Sequence, residues 1–363
     1  MSASLGRRLR RGRKWLRRLA FSLLPLTLLV VGIEVAVRVA GQGHPGAGVT
    51  VDALQMAPHT TRIWSLSPGT LTMDGVVHTI GANTLRVVEP RGAPLRALTL
   101  GDSSIFGHGL EDQDTLHAQL SEVLSAQGVA IDIFCGGVSG YSTEQSLVLL
   151  DEVGWDLEPD LLVIGNLWSD ASQDNFVDRE WLSELNRPGR RLGRLLSRSA
   201  AWRRLRQRPS PGTGPQAGLP VGWVQEPYST RGQHHRVPLK EYAENLDRML
   251  LAAAERGVSA IFLAPCNRYR LESGGVAGFW EPYFEGMEVV AKRRGVPVVQ
   301  ARDVLRAEGL SDDAAFLDEL HPTAASNHAY AEALADALLQ RGWPEERLVP
   351  DPAPPLVTLE GAQ

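Results

Sequence analysis

The sequence predicts an α/β fold, a doubly wound parallel sheet flanked by helices, preceded by an N-terminal transmembrane helix. Three observations predict it. From residue 95 onward, short apolar runs alternate with stretches of helical periodicity, the pattern of successive β–α units. One run, Leu161–Ile164, is apolar at every position, as a strand covered by helices on both faces must be. Residues 19–40 form one apolar stretch directly after a basic leader.

The chain has 363 residues, 43% apolar and 22% charged, an ordinary globular balance with enough residues for a sizeable core. Its charge is unevenly spread. The leader, residues 1–18, carries Arg7, Arg8, Arg10, Arg11, Arg13, Lys14, Arg17 and Arg18 and no acid. Adding Arg38 and subtracting Glu34 leaves +8 over residues 1–40; the whole chain is −5, so residues 41–363 carry −13. An acidic body argues against a nucleic-acid partner, because phosphate contacts need basic surface.

The 22 residues from Leu19 to Ala40 span about 33 Å as a helix, enough for a hydrocarbon core of roughly 30 Å. Glu34 and Arg38 stand four apart, where they can pair, and Arg38 is near enough to the end to snorkel. The basic flank precedes the span, so the N-terminus is expected in the cytoplasm of a bacterial-type cell and residues 41–363 outside, in the periplasm. The alternative is a cleaved signal peptide, for which Val39-Ala40-Gly41 is the passable site.

Residues 41–94 read as an extracytoplasmic tether with a hairpin, signalled by Asp74-Gly75 inside the run 70–79. The main domain is expected over residues 95–343. Its strands are Leu95–Leu100, Ile131–Cys135, Leu161–Ile164, Ala260–Ala264 and Val296–Val299. Its helices are Thr115–Ala126, capped by Asp114, then Ser142–Leu150 with a Ser142/Gln145 capping box, Leu239–Arg256, Pro282–Arg294 and Ala324–Gln340. An insertion at about 171–237 breaks the alternation. It includes Arg187–Arg208, with nine arginines and no acid, which fits a solvated basic face, an anionic membrane or an anionic glycan. Residues 344–363 form a tail.

Four segments could carry chemistry, three of them just after strands, where such sheets bind ligands. Gly101-Asp102-Ser103-Ser104-Ile105-Phe106-Gly107 follows the first strand and alone reads equally as a Ser/Gly turn. Gly136-Gly137-Val138-Ser139-Gly140-Tyr141 follows the second; its glycines present backbone N–H groups or simply make a tight turn. Gly165-Asn166 follows the third, where an amide can donate into the crevice or cap the loop. The fourth is Asp318-Glu319-Leu320-His321-Pro322-Thr323, before the last helix. Histidine is the usual base for a serine nucleophile, and it needs an acceptor on its other ring nitrogen, which Asp318 can supply from three residues away. A lone histidine is otherwise an ordinary surface or core residue. His234-His235 has no third metal ligand in sight and reads as a loop.

Together the four segments resemble the SGNH/GDSL hydrolase family over about residues 95–340. Gly101-Asp102-Ser103 resembles its first block, Gly140 its second-block glycine, Asn166 its third-block asparagine, and Asp318 with His321 its Asp-x-x-His block. Ile80-Gly-Ala-Asn-Thr-Leu-Arg86 resembles the segment before the first block in membrane-anchored members. One departure stands: the family shows Gly-x-Asn-Asp, whereas this chain has Gly165-Asn166-Leu167-Trp168. The resemblance implies a flavodoxin-like strand order, 2-1-3-4-5. It also implies a catalytic set of Ser103 as nucleophile, His321 as base and Asp318 as its partner, and an oxyanion hole from the Ser103 and Gly140 N–H groups and the Asn166 amide. It implies no metal or cofactor. No Gly-x-Ser-x-Gly elbow surrounds Ser103 and no Gly-x-Gly-x-x-Gly follows a strand, which disfavours an α/β-hydrolase and a dinucleotide enzyme. The implied strand order sets Cys135 and Cys266 three strand spacings apart, roughly 14 Å and beyond disulfide reach, so two free thiols are expected.

The function expected is a membrane-anchored extracytoplasmic serine esterase acting on an acylated small molecule or glycan. Two alternatives stay open: an O-acyltransferase served by a multi-span acyl-donor protein, and a non-catalytic binding protein on the same scaffold.

Overall fold

The computed structural model describes residues 56–186 and 234–352, apart from residues 60, 74, 88–90, 175 and 273–277, together with residue 32. The predicted leader, the tether to residue 55, the Arg-rich segment and the end of the tail lie outside the described residues, as does the segment 19–40 apart from Gly32. Among the described residues no helix is long and apolar enough to cross a membrane.

Eleven strands are described. Before the main sheet come two hairpins, β1 (Met56–His59) with β2 (Ile63–Leu66) and β3 (Gly69–Met73) with β4 (Val76–Ile80). The central sheet holds β5 (Leu95–Gly101), β6 (Ile131–Gly137), β7 (Leu161–Ile164), β10 (Ser259–Ala264) and β11 (Val298–Gln300); β8 (Gln173–Asp174) and β9 (His234–His235) pair separately. In space the sheet runs β6-β5-β7-β10-β11, and every neighbouring pair is parallel.

The helices are α1 (Ser103–Phe106), α2 (Leu116–Ala126), α3 (Thr143–Leu149), α4 (Trp168–Ala171), α5 (Asp178–Asn186), α6 (Leu239–Glu255), α7 (Arg268–Glu272), α8 (Glu281–Arg294), α9 (Ala301–Ala307), α10 (Asp312–Ala315) and α11 (Ala324–Leu339). They cover both faces of the sheet, and this is why β7 is apolar throughout. Successive side chains of a strand point to opposite faces. Leu162 and Ile164 join Leu98, Leu100 and Phe262 beneath α3, α6 and α8, with Leu147, Leu246, Met249 and Met287. Leu161 and Val163 join Ala97, Ile133 and Ile261 beneath α2, α9 and α11, with Leu120, Leu124, Leu305 and Leu334.

Two of the expected boundaries move for a physical reason. Asp114 does not cap α2: residues 112–114 make a single 3-10 turn, and Thr115, whose hydroxyl donates to the Asp112 carbonyl at 2.7 Å, takes the cap position. The last sheet strand begins after Pro297, which has no N–H to give the ladder but whose carbonyl accepts from Phe262 N at 2.9 Å. The short helices α1, α4, α7, α9 and α10 were not read from sequence, because four to seven residues hold too little periodicity. The hairpin expected around Asp74-Gly75 is β3–β4.

Candidate active site

The sheet's carboxyl edge is built to seat one short helix. β5 ends at Gly101, Asp102 caps α1, and Ser103 is the first residue of that helix. Asp102 Oδ1 accepts from the Ser104 N–H at 3.0 Å and the Ser104 hydroxyl at 2.8 Å. Burial pushes the Asp102 carboxyl up, against the lowering effect of those two bonds. Glycines at the ends of three adjacent strands make room. A Cβ on Gly101 or Gly165 would meet Ile105 side-chain atoms at 2.3 and 2.5 Å, and one on Gly137 would meet the Phe106 nitrogen at 2.5 Å. Glycine is needed at all three because α1 packs directly on the backbone. The other end of α1 is held by Arg86, which is 1% exposed. Its guanidinium donates to the carbonyls of Phe106 (2.8 Å), Gly107 (2.8 Å) and Leu110 (2.6 Å) and pairs with Asp112 at 2.8 Å. The Phe106 carbonyl is one that the helix end leaves without an intrahelical donor, and the other two belong to the turn that follows.

The second half of the site is the turn between α10 and α11. Phe316 bridges Pro322, and Leu317 N donates to His321 O at 2.8 Å, so residues 317–321 form a tight loop. Asp318 Oδ1 accepts from the backbone N–H groups of Leu320 and His321, both at 2.8 Å. Its Oδ2 lies 2.7 Å from His321 Nδ1, and His321 Nε2 lies 2.8 Å from Ser103 Oγ. A carboxylate can only accept, so Nδ1 carries the ring proton and Nε2 is left as acceptor for the Ser103 hydroxyl. Partial burial alone would raise the Asp318 carboxyl. The bond and charge of His321 and the two backbone donors outweigh it and hold the carboxyl below the usual carboxylate range. His108 stacks on His321, ring centroids 4.3 Å apart and planes 25° apart, which restrains the base from the side. Ser103 and His321 are each 5% exposed, so solvent reaches the pair narrowly.

Gly140 and Asn166 lie on the two neighbouring strand ends. Gly140 adopts φ +76, the left-handed region. Among the described residues no acceptor bonds the N–H of Ser103 or of Gly140. Asn166 is fully buried; its Nδ2 lies 2.9 Å from Ser146 Oγ, while among the described residues its Oδ1 has no donor. A buried carbonyl without a donor is unfavourable. The amide turned by 180° fits the same envelope, takes the Ser146 hydroxyl on Oδ1 and leaves its NH₂ free to donate. The structure thus brings Ser103, His321 and Asp318 into one chain of hydrogen bonds. Asn175 lies outside the described residues.

Four further residues around the site escaped the sequence reading. Arg86 carried only a segment likeness. His108 stands five residues after Ser103, between two glycines, and nothing in sequence marks its stacking on His321. Asp170, four residues after Asn166, is fully buried and accepts from Thr143 N at 2.9 Å, and that burial pushes its carboxyl well up. Arg236, at the exit of the insertion, donates to the Gly140 carbonyl at 2.7 Å.

No family model matches the chain. No curated protein matches it either. Solved structures do resemble it. A lipase/acylhydrolase from Enterococcus faecalis is 15% identical over 68% of this chain and 96% of its own, with a TM-score of 0.44. An acetylxylan esterase from Geobacillus stearothermophilus is 15% identical over 68% and 94%, with a TM-score of 0.42. A protein from Desulfitobacterium hafniense described as of the G-D-S-L family is 14% identical over 67% and 99%, with a TM-score of 0.42. Likenesses this distant assign no activity, and what the site can do rests on its own geometry.

Proposed function

We propose that the protein is a serine esterase that hydrolyses ester-linked acyl groups through an acyl-enzyme. The observation that carries this reading is the relay Ser103–His321–Asp318, with contacts of 2.8 and 2.7 Å at the carboxyl edge of a parallel sheet. Ser103 Oγ attacks the ester carbonyl carbon as its proton passes to His321 Nε2. Asp318 holds the ring and stabilises the imidazolium. The tetrahedral intermediate places its negative oxygen against the N–H groups of Ser103 and Gly140 and, with its amide turned, Asn166 Nδ2. The carbon–oxygen bond to the alcohol breaks, and His321 returns the proton to that alcohol. Water, deprotonated by His321, then attacks the acyl-serine, and Ser103 regains its proton as the acid leaves.

The proposal includes an extracytoplasmic site, anchored through residues 19–40, on the charge pattern of the leader. A reporter fused at the C-terminus is expected to be active only outside the cytoplasm; cytoplasmic activity reverses that part. The decisive test of the chemistry is intact-mass spectrometry with a fluorophosphonate. One adduct is expected, at Ser103 and lost in Ser103→Ala. Labelling at Ser104 or Ser139 overturns the assignment. Aryl esters of varied chain length and acetylated glycans then define the substrate. An adduct with barely any ester hydrolysis, and deacylation accelerated by a sugar acceptor, identifies a transferase instead.

A further inference from the structure

Gly140 has no Cβ to restrict it, so its N–H points where other groups force it to point. That N–H and the Ser139 carbonyl belong to one planar trans peptide and face opposite ways. Trp64 Nε1 donates to the Ser139 carbonyl at 3.2 Å. On the other side of Gly140, Arg236 Nη1 donates to the Gly140 carbonyl at 2.7 Å. Both peptide planes that meet at Gly140 are therefore held by side chains from outside the loop, 75 residues before and 96 residues after it.

Both side chains are themselves fixed. Arg236 bonds Asp178 through Nε (3.1 Å to Oδ1) and Nη2 (2.8 Å to Oδ2), and Nη2 also reaches Gln145 Oε1 at 2.8 Å. Its guanidinium lies over the rings of Trp64 (5.2 Å) and Phe176 (5.6 Å). The Tyr141 hydroxyl donates to the Trp64 carbonyl at 2.7 Å, and the two rings meet edge-on. Trp64 ends a three-residue turn, closed by its N–H on the Arg62 carbonyl at 2.7 Å, that puts Ile63 at φ +63. A β-branched residue in that region is strained, so the packing around Trp64 holds the turn against its own preference. Asp178 is fully buried and Arg236 is 5% exposed. Stability alone is a weak reason for such a pair, since well-packed apolar residues do as well.

We infer that Trp64 and Arg236 are positioning residues that aim the Gly140 N–H into the oxyanion hole, an inference that rests on the acyl-transfer reading of Ser103. The first hairpin and the base of the insertion are then working parts of the site. Asp178 stands before the insertion's Arg-rich stretch and Arg236 after it, and Gln173 and Asp174 pair with His235 and His234 to close its base.

The test is steady-state and inactivation kinetics on the full chain. Trp64→Phe keeps an aromatic ring and loses the donor; Arg236→Lys keeps the charge and loses the fork. Mis-aiming one donor should lower kcat about 10-fold in Trp64→Phe and up to about 10²-fold in Arg236→Lys, with KM within about twofold. The acid limb of the pH profile should stay in place, because neither residue touches His321 or Asp318, and fluorophosphonate labelling of Ser103 should slow in step with kcat. Unchanged kcat and labelling in folded variants overturn the inference. So does a fall in kcat accompanied by a shifted acid limb, which means the change acts through the base. Should Trp64→Phe fail to fold, replacement of Trp64 by benzothienylalanine, the same shape without the N–H, gives the same reading. Wild-type protein that is not labelled at Ser103 overturns the acyl-transfer reading itself, a different result from wild type and variant labelling at equal rates.

Discussion

Ser103 and Gly140 leave adjacent strands of one sheet, yet the two sides of the site are assembled by different means. The nucleophile and base sides are nearly self-contained. Asp102, Ser103 and Ser104 organise each other within three residues, and Asp318 orders His321 within four. The Ser103–His321 hydrogen bond, across 218 residues, and the stacking of His108 on His321 join the halves. The oxyanion side has no such local logic. Gly140 is held by Trp64 and Arg236, and Asn166 leans on Ser146 and on the Tyr242 hydroxyl at its backbone carbonyl. The difference teaches that the reacting groups of such a site can be complete in short motifs while the charge-stabilising groups are borrowed from distant segments. A second buried pair sharpens the point. Arg294 and Asp247 bond at 2.7 Å through two contacts and join α8 to α6, but reach no residue of the relay. Breaking it should lower the melting temperature, with kcat per folded molecule retained, unlike Arg236→Lys.

The largest effect expected is on the self-contained side. Ser103→Ala and His321→Ala should each lower kcat/KM by about 10³-fold or more, and the double variant should be little worse, because the two act as a unit. Additive losses in the double variant would break the relay into independent parts.

Next comes the borrowed side. Asn166→Ala should lower kcat by about 10²–10³-fold with KM little changed, and Ser146→Ala, which removes the partner that fixes the amide, should lower it by less. Near-normal turnover in Asn166→Ala would move the donor role elsewhere, with Asn175 the next candidate.

Asp318→Asn should cost somewhat less than losing Ser103: the amide oxygen stays on the Leu320 and His321 N–H groups, and its NH₂ then faces His321 Nδ1 and favours the wrong ring tautomer. The carboxyl's folded pKa is held low, so its stabilising contribution is present above the ordinary aspartate pKa of about 3.9 and fades as pH falls below it. Loss of activity in Asp318→Asn without any change in acid stability would confine its role to catalysis.

Smaller effects lie outside the site. His78 is buried and, among the described residues, neither ring nitrogen has a hydrogen-bond partner; burial, with Arg86 and His108 nearby, pushes its pKa down to about 4. The unfolded chain takes up a proton near pH 6.5 that the folded chain refuses until about pH 4, so stability is lost on acidification through that window. His78→Phe should flatten this part of a melting-temperature profile; an unaltered slope rules His78 out as its source. The smallest effect is chemical. Cys135 and Cys266 are free and buried, and burial pushes their thiols up to about 11 and about 12. Thiol titration should find two groups in the unfolded, unreduced protein and slow reaction in the native one.

By itself the sequence determined the alternating α/β pattern, the β3–β4 hairpin and the sites that follow the strands. Those signals are local: Leu161–Ile164 must be apolar on both faces, glycines must stand where α1 presses on strand ends, and Asp318 lies three residues from the base it orders. Only the tertiary structure decided that Ser103 Oγ and His321 Nε2 lie within a hydrogen bond, and that Trp64, Arg86, His108 and Arg236 converge on the same edge. A tryptophan in a separate two-stranded hairpin and an arginine at the end of an insertion carry no local mark of their partners. Their contacts depend on chain crossings dozens of residues apart, and no periodicity or spacing encodes them.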